Sequence, residues 1–384
     1  MVRRRLLVSA ASAAVLFVAW VGQAQAAVVG SKPAPSYQAN GRVAVVVISG
    51  NTAYLGGKFT SMRPAGNPAG TGEVTRNHAA AINLTTGALL PWNPNVNGLV
   101  EAIKVSGNTV YLGGGFGTVG GTSRKKIAAV DATSGAVIKG FKTTVNGEVR
   151  GIELSNGQLY LGGAFTLPRP NAASVNPATG AFNSAWVPTT DGPVDAITTT
   201  RDGSNKIVLG GAFNTLNGAS SNAIGAVSPS TGASLSWAWH GPTRGISHPF
   251  DVVSFYTDSS GIYASGTGNG GTVVKSDASG NILWQAGGNG NTVGVAVVDG
   301  IAYIAGHFTV YCGATMGVNG CAGTNRAHLL AVDATTGALQ TWHPAANSSL
   351  GTFTIAGGSG VIATGGDFTK LGGVAQQGFG EFKE

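Results

Sequence analysis

The chain has 384 residues, 10% of them charged, with 62 glycines, two cysteines and a formal charge of +7. Three of its 23 basic residues, Arg3, Arg4 and Arg5, precede an apolar run from Leu6 to about Val21, so the remainder carries +4 and no run of Lys or Arg longer than Arg124-Lys125-Lys126. That balance, with no aromatics interleaved among basic residues, excludes a phosphate-tracking nucleic-acid groove, and no second apolar stretch is long enough to span a bilayer.

The N-terminal arginines, the apolar run and the small residues Ala24-Gln25-Ala26 predict a signal peptide over residues 1–26, with one domain over 27–384. Arg3-Arg4-Arg5-Leu6-Leu7 also permits a twin-arginine leader. Both routes end outside the cytoplasm. Nothing after Gly373 resembles a cell-wall sorting tail, so a released, secreted monomer is expected.

One phrase then recurs seven times: Tyr-Leu-Gly-Gly-x-Phe at Tyr54–Phe59, Tyr111–Phe116 and Tyr160–Phe165, and in looser form at Val208–Phe213, Tyr263–Gly268, Tyr303–Phe308 and Ala363–Phe368. Self-similarity of this kind sets the architecture before any single residue does. The second copy shows the grammar of one unit. Gly98 to Val105 alternates β-branched residues and ends at the turn Ser106-Gly107-Asn108; the phrase makes a second strand; Ile127–Asp131 makes a third. Asp131-Ala132-Thr133-Ser134-Gly135 turns into a fourth strand, and the same turn returns at Asn83–Gly87, Asn176–Gly180 and Asp333–Gly337.

The fourth strand ends in an aromatic at Trp92, Phe141, Trp186, Trp239, Trp284 and Trp342, a position suited to packing between adjacent sheets. Arg76, Arg124, Arg169 and Arg326 recur before the third strand, which predicts a structural hydrogen bond in each unit. The prediction is all-β: a seven-bladed β-propeller of four-stranded antiparallel blades. The last copy stops after its third strand, so the segment from about Val28 to Tyr37 is expected to supply the missing one and close the ring by pairing the N- and C-terminal segments.

Phrase, Arg-bearing loop, Ile-Ala-Ala-Val-Asp-x-x-Thr/Ser-Gly and Trp-x-Pro together resemble the delta-60 (DUF5122-like) repeats of secreted bacterial β-propellers over about residues 40–382. That resemblance implies the fold and no common activity. Ala331–Trp342 is also similar to the tryptophan-docking repeat of quinoprotein propellers, but seven copies stand where that family has eight, and its adjacent cysteine pair is missing.

Residues that break the repeat are the functional candidates. Aligning the first strands on a shared valine puts Ala44, Glu101, Arg150, Asp195, Asp251, Gly294 and Thr354 at one position, so Glu101, Arg150, Asp195 and Asp251 are expected on an arc by the central channel. Such an arc either pairs internally or holds a polar ligand or cation, calcium being the ion its oxygen ligands suit; no other cofactor is expected. Trp237, Trp239, His240, Arg244 and His248 lie in a longer loop that reads either as a glycan- or peptide-binding patch or as an ordinary surface loop. The other histidines, His78, His307, His328 and His343, read as packing or surface groups. Cys312 and Cys321 predict a local disulfide in an exported chain.

Standard catalytic spacings are absent, and Gly266–Gly271 matches a dinucleotide fingerprint by letters only, since a strand follows it where a helix is required. The leading expectation is a non-catalytic binding protein for an extracellular glycan or protein. The alternative is an extracellular hydrolase or lyase with two of the channel carboxylates as acid and base.

Overall fold

The computed structural model describes residues 29–241, 250–268, 271–313 and 321–384. Among these residues every regular element is a strand and there is no helix. The leader, Arg244 and His248 lie outside the described residues.

Each copy of the phrase lies on the second strand of an antiparallel sheet. In sheet one Val43–Ser49 pairs with Thr52–Gly57, which pairs with Ala79–Asn83. The inner strands of sheets two to seven are Val100–Ser106, Glu148–Ser155, Val194–Thr199, Asp251–Asp258, Thr292–Val298 and Thr352–Gly358. Each packs against the next in sequence, and the seventh packs against the first.

A glycine-to-valine fit sets the spacing between sheets. A Cβ added at Gly56, the first glycine of the first phrase, would lie 2.6 Å from Cγ1 of Val100 in sheet two. Gly113 meets Val149, Gly162 meets Val194 and Gly210 meets Val252 in the same way, and Gly365 of sheet seven meets Val43 of sheet one at 2.6 Å. Only a residue without a side chain lets the neighbouring strand approach this closely. Where the glycine becomes Ser265 or Ala305, the valine becomes Thr292 or Thr352, whose hydroxyls donate to the carbonyls of Thr272 and His328, each at 2.8 Å.

The fourth strand is shorter than expected. It is a full strand in sheet five, Ile282–Gly288, and two residues in sheet four, Ser234–Leu235. Elsewhere it is one bridge: Ile82 with Leu89, Val130 with Val137, Val175 with Phe182 and Val332 with Leu339. The chain leaves the ladder early to bury its terminal aromatic. Trp92 donates to the Asp131 carbonyl of sheet two at 3.0 Å and meets Tyr54 edge to face, and Trp186 and Trp284 donate across to Ser228 and Ala334. In the fourth copy this position belongs to Trp237, not Trp239, because Ala238 N–H bonds the Ser279 carbonyl just as Val187 N–H, after Trp186, bonds Thr231.

The recurring arginines hold the outer segment. Arg76, Arg124, Arg169 and Arg326 donate to the carbonyls of Leu90, Lys139, Ser184 and Gln340, as the repeat predicted. On the seventh sheet the outer position is taken by the N-terminal segment: Gly30 and Ala34 N–H donate to Lys383 and Glu381 carbonyls, each at 2.8 Å, and Trp342 donates to Gly30. Cys312 and Cys321 are joined in a disulfide at the base of an insertion whose strands, Val310–Gly313 and Thr324–Asn325, extend sheet five.

Candidate functional site

The inner strands share one irregularity. Opposite the second glycine of each phrase the register slips by one residue, leaving a bulged residue outside the ladder. The seven bulged residues are Ala44, Glu101, Arg150, Asp195, Val253, Val293 and Phe353, and with Arg42 and Leu99 they line a cavity of about 400 Å³. A second cavity of about 210 Å³ shares those seven residues, and a third of about 420 Å³ beyond it takes lining from all seven inner strands. The three share lining residues in turn along the inner strands, with the bulged residues at one end, here called the mouth.

Glu101, Arg150 and Asp195 therefore come together as the sequence implied, while Asp251 does not hold the equivalent place. The bulge of sheet five is Val253, and Asp251 pairs with Thr267 at the start of the strand. Gly294 and Thr354 likewise stand one residue beyond Val293 and Phe353. In sheets six and seven the residue facing the preceding phrase is a threonine, Thr292 or Thr352, and not the shared valine, which shifts the position by one; in sheet five it is Val252, so Asp251 lies two residues before the equivalent place. The third carboxylate of the group is instead Glu148, which is bonded to Arg150 but does not line the cavity. It was legible as the residue two before Arg150, hence on the same strand face.

Arg150 occupies the centre of this group. Its Nη1 lies 2.9 Å from Asp195 Oδ1 and its Nη2 3.0 Å from Glu148 Oε2. Burial works against the guanidinium charge, but the two carboxylates outweigh it and its pKa is raised. Glu101 is the exception: its Oε2 is buried without a hydrogen-bond partner among the described residues. Burial first, then repulsion from Glu148 and Asp195, raises its pKa above the ordinary carboxyl range, with Arg150 and Lys58 opposing. On the far side Leu99, Val253, Val293 and Phe353 make an apolar wall. Arg42 is anchored to Asp367 of sheet seven at 2.6 Å and lies 4.1 Å over the Phe353 ring.

The opposite mouth carries a smaller ionic set, with Lys104 2.7 Å from the buried Glu153 carboxylate and Arg201 3.5 Å from it. Among the described residues no group of three His, Cys, Asp or Glu side chains is arranged to hold a metal ion.

The binding-loop candidates are placed differently from the expectation of an aromatic patch. Trp237 and Trp239 are 6% and 8% exposed and sit in the core between sheets, Trp239 edge-on to Phe250 and Trp237 against the turn at Gly280. His240 is exposed and its Nδ1 lies 3.0 Å from the Ser221 carbonyl. His78 bonds Gly57, His343 accepts from Ala327 N–H, and His328 is buried beside the stacked His307 ring.

No protein-family model matches the chain, and no curated protein matches it. Among solved structures it is similar to the WD40 β-propeller domain of Doa1, at 12% identity and a TM-score of 0.54, over 91% of this chain and 97% of that one. It is also similar to the computationally designed Ika8 protein, at 11% identity and a TM-score of 0.51, over 90% of this chain and 98% of that one. At these identities the likeness is one of fold. The chain is an all-β protein with a propeller fold.

Proposed function

We propose that this chain is a secreted, seven-bladed propeller that binds an extracellular glycan or protein without catalysis, using the channel mouth around Glu101. Seven phrase-bearing sheets among the described residues, the fit of Gly365 on Val43, the Arg42–Asp367 pair and the backbone bonds from Gly30 and Ala34 to the last strand favour a ring closed through both ends of the chain. The delta-60-like phrase and the arginine-led apolar N-terminus favour the secreted assignment.

One observation carries the binding assignment: a cavity of about 400 Å³ whose wall holds a buried carboxyl oxygen that no donor among the described residues reaches. A cavity of this size with few placed polar groups on an otherwise apolar lining is the usual form of a recognition site. The hydrolase reading needs two independently placed carboxyls, and Asp195 and Glu148 are both engaged by Arg150. The same guanidinium occupies the space between those carboxylates that calcium would need.

The test is a glycan array and an extracellular-protein pull-down with wild type, Phe353→Ser and Trp239→Phe. Loss of capture in Phe353→Ser alone supports the assignment. Capture that survives Phe353→Ser, or turnover of a polysaccharide panel that Glu101→Gln abolishes, overturns it.

A further inference from the structure

The hydrogen-bond inventory of the mouth is unbalanced, and the imbalance selects a ligand chemistry. Both terminal nitrogens of Arg150 are committed, to Asp195 and Glu148. Arg42 gives Nε and Nη2 to Asp367. Glu101 is left facing the cavity with Oε2 buried and no donor among the described residues. Among the described residues Glu101, Glu148 and Asp195 are set against Arg150 and Lys58, which with Glu101 ionised leaves one negative charge in excess, and the pairing of Arg42 with Asp367 does not change it.

An anionic ligand is therefore repelled. A neutral hydroxyl supplies a hydrogen bond but no countercharge to an ionised Glu101. A cation supplies both, and a charge-assisted bond to a carboxylate is about twice as strong as a neutral one. The other half of the cavity restricts the cation further. The side chains of Leu99, Val253, Val293 and Phe353 are all carbon, so a hydrated metal ion or a polyhydroxylated amine gains no side-chain hydrogen bond from them. An alkyl chain needs none, packing in the way a lysine stem lies along apolar surface with its ammonium in a polar place.

We infer that the mouth takes a primary ammonium group on an apolar stem, the ammonium donating to Glu101 and the stem lying along Leu99, Val253, Val293 and Phe353. The inference rests on the mouth being the recognition site and specifies what it recognises. Ion pairing with the ligand ionises Glu101, offsetting the burial that otherwise favours its protonated form. A lysine side chain of a protein and a free alkylamine share this chemistry, whereas an amino sugar has the ammonium without the stem.

The experiment is titration calorimetry on the full secreted chain with n-pentylamine and n-pentanol as matched probes, then Nα-acetyl-lysine methylamide and glucosamine to separate the sources. The expected result is n-pentylamine at least about tenfold tighter than n-pentanol, a gap erased by Glu101→Gln. Phe353→Ser weakens n-pentylamine and the lysine derivative and leaves glucosamine unaffected. Equal binding of amine and alcohol to wild type overturns the inference without reference to any variant's folding, and so does an amine preference that survives Glu101→Gln. If the captured glycan or protein depends on Phe353 but n-pentylamine does not compete with it, the mouth stands as the binding site and only the ammonium assignment falls.

Discussion

Replacing Gly365 with alanine probes whether the last sheet meets the first. The added Cβ would stand 2.6 Å from Val43 Cγ1 and 2.9 Å from Thr354 Cγ2, in a region where Val43 is fully buried. Overpacking of this kind costs about 1–3 kcal/mol, less about 0.4–1 kcal/mol returned through the stiffer unfolded chain, giving a loss of about 1–2 kcal/mol. Val43→Ala removes two buried methyl groups and leaves a void, a loss of about 2 kcal/mol. In the double variant the 2.6 Å clash is gone while the Cβ of residue 43 and Thr354 Cγ2 remain at 2.9 Å, so the combined loss should fall short of the sum by about 1 kcal/mol. Gly56→Ala with Val100→Ala makes the same cycle between sheets one and two and serves as the reference. Equilibrium urea unfolding of the four proteins in each cycle measures both couplings. If Gly56 and Val100 couple while Gly365 and Val43 add within about 0.3 kcal/mol, the two ends of the chain are not in register and the closed ring is wrong.

Glu101→Gln should stabilise the unliganded protein near pH 7.5. The folded pKa of Glu101 lies above its unfolded value of 4.5, so its contribution is fully present below that pH and is lost as pH rises through the folded pKa. Urea midpoints of wild type and variant should converge at pH 4 and separate at pH 7.5; a constant difference refutes the shift. Trp237→Ala should lower stability by about 3–5 kcal/mol, because its ring fills the core between sheets four and five, and a variant with an unchanged melting curve would return Trp237 to the surface. Reducing Cys312–Cys321, nine residues apart, releases a loop constraint worth at most about 2.5–3 kcal/mol and confined to the extension of sheet five. Far-ultraviolet circular dichroism should then keep its β signature at 25 °C, and global unfolding on reduction would contradict a local role.

The all-β propeller organisation was legible in the chain because it is written as repetition. Each phrase had to be a strand, since alternating β-branched residues and a glycine pair recur with the same turn, and each arginine and terminal aromatic had to serve the sheet because it recurred with it. Trp92, Trp186, Trp284 and Trp342 are buried between sheets for that reason. Recurrence could not say which residue faces the channel. That is decided by the bulge, which forms where cross-strand pairing and the approach of the neighbouring sheet compete for the same backbone. A one-residue shift reverses strand faces, so keying on Val293 and Phe353 instead of Thr292 and Thr352 misplaced Gly294 and Thr354. A two-residue shift keeps the face and moves along the strand, which is how Asp251 stood in for Val253. Trp237 and Trp239 share a face in the same way, and only the bond from Ala238 to Ser279 distinguishes the core position. Composition and spacing thus determined which elements form, through local propensity and period. The partner sheet, through steric fit at its glycines, decided how each inner strand is registered and so which charges meet at the mouth.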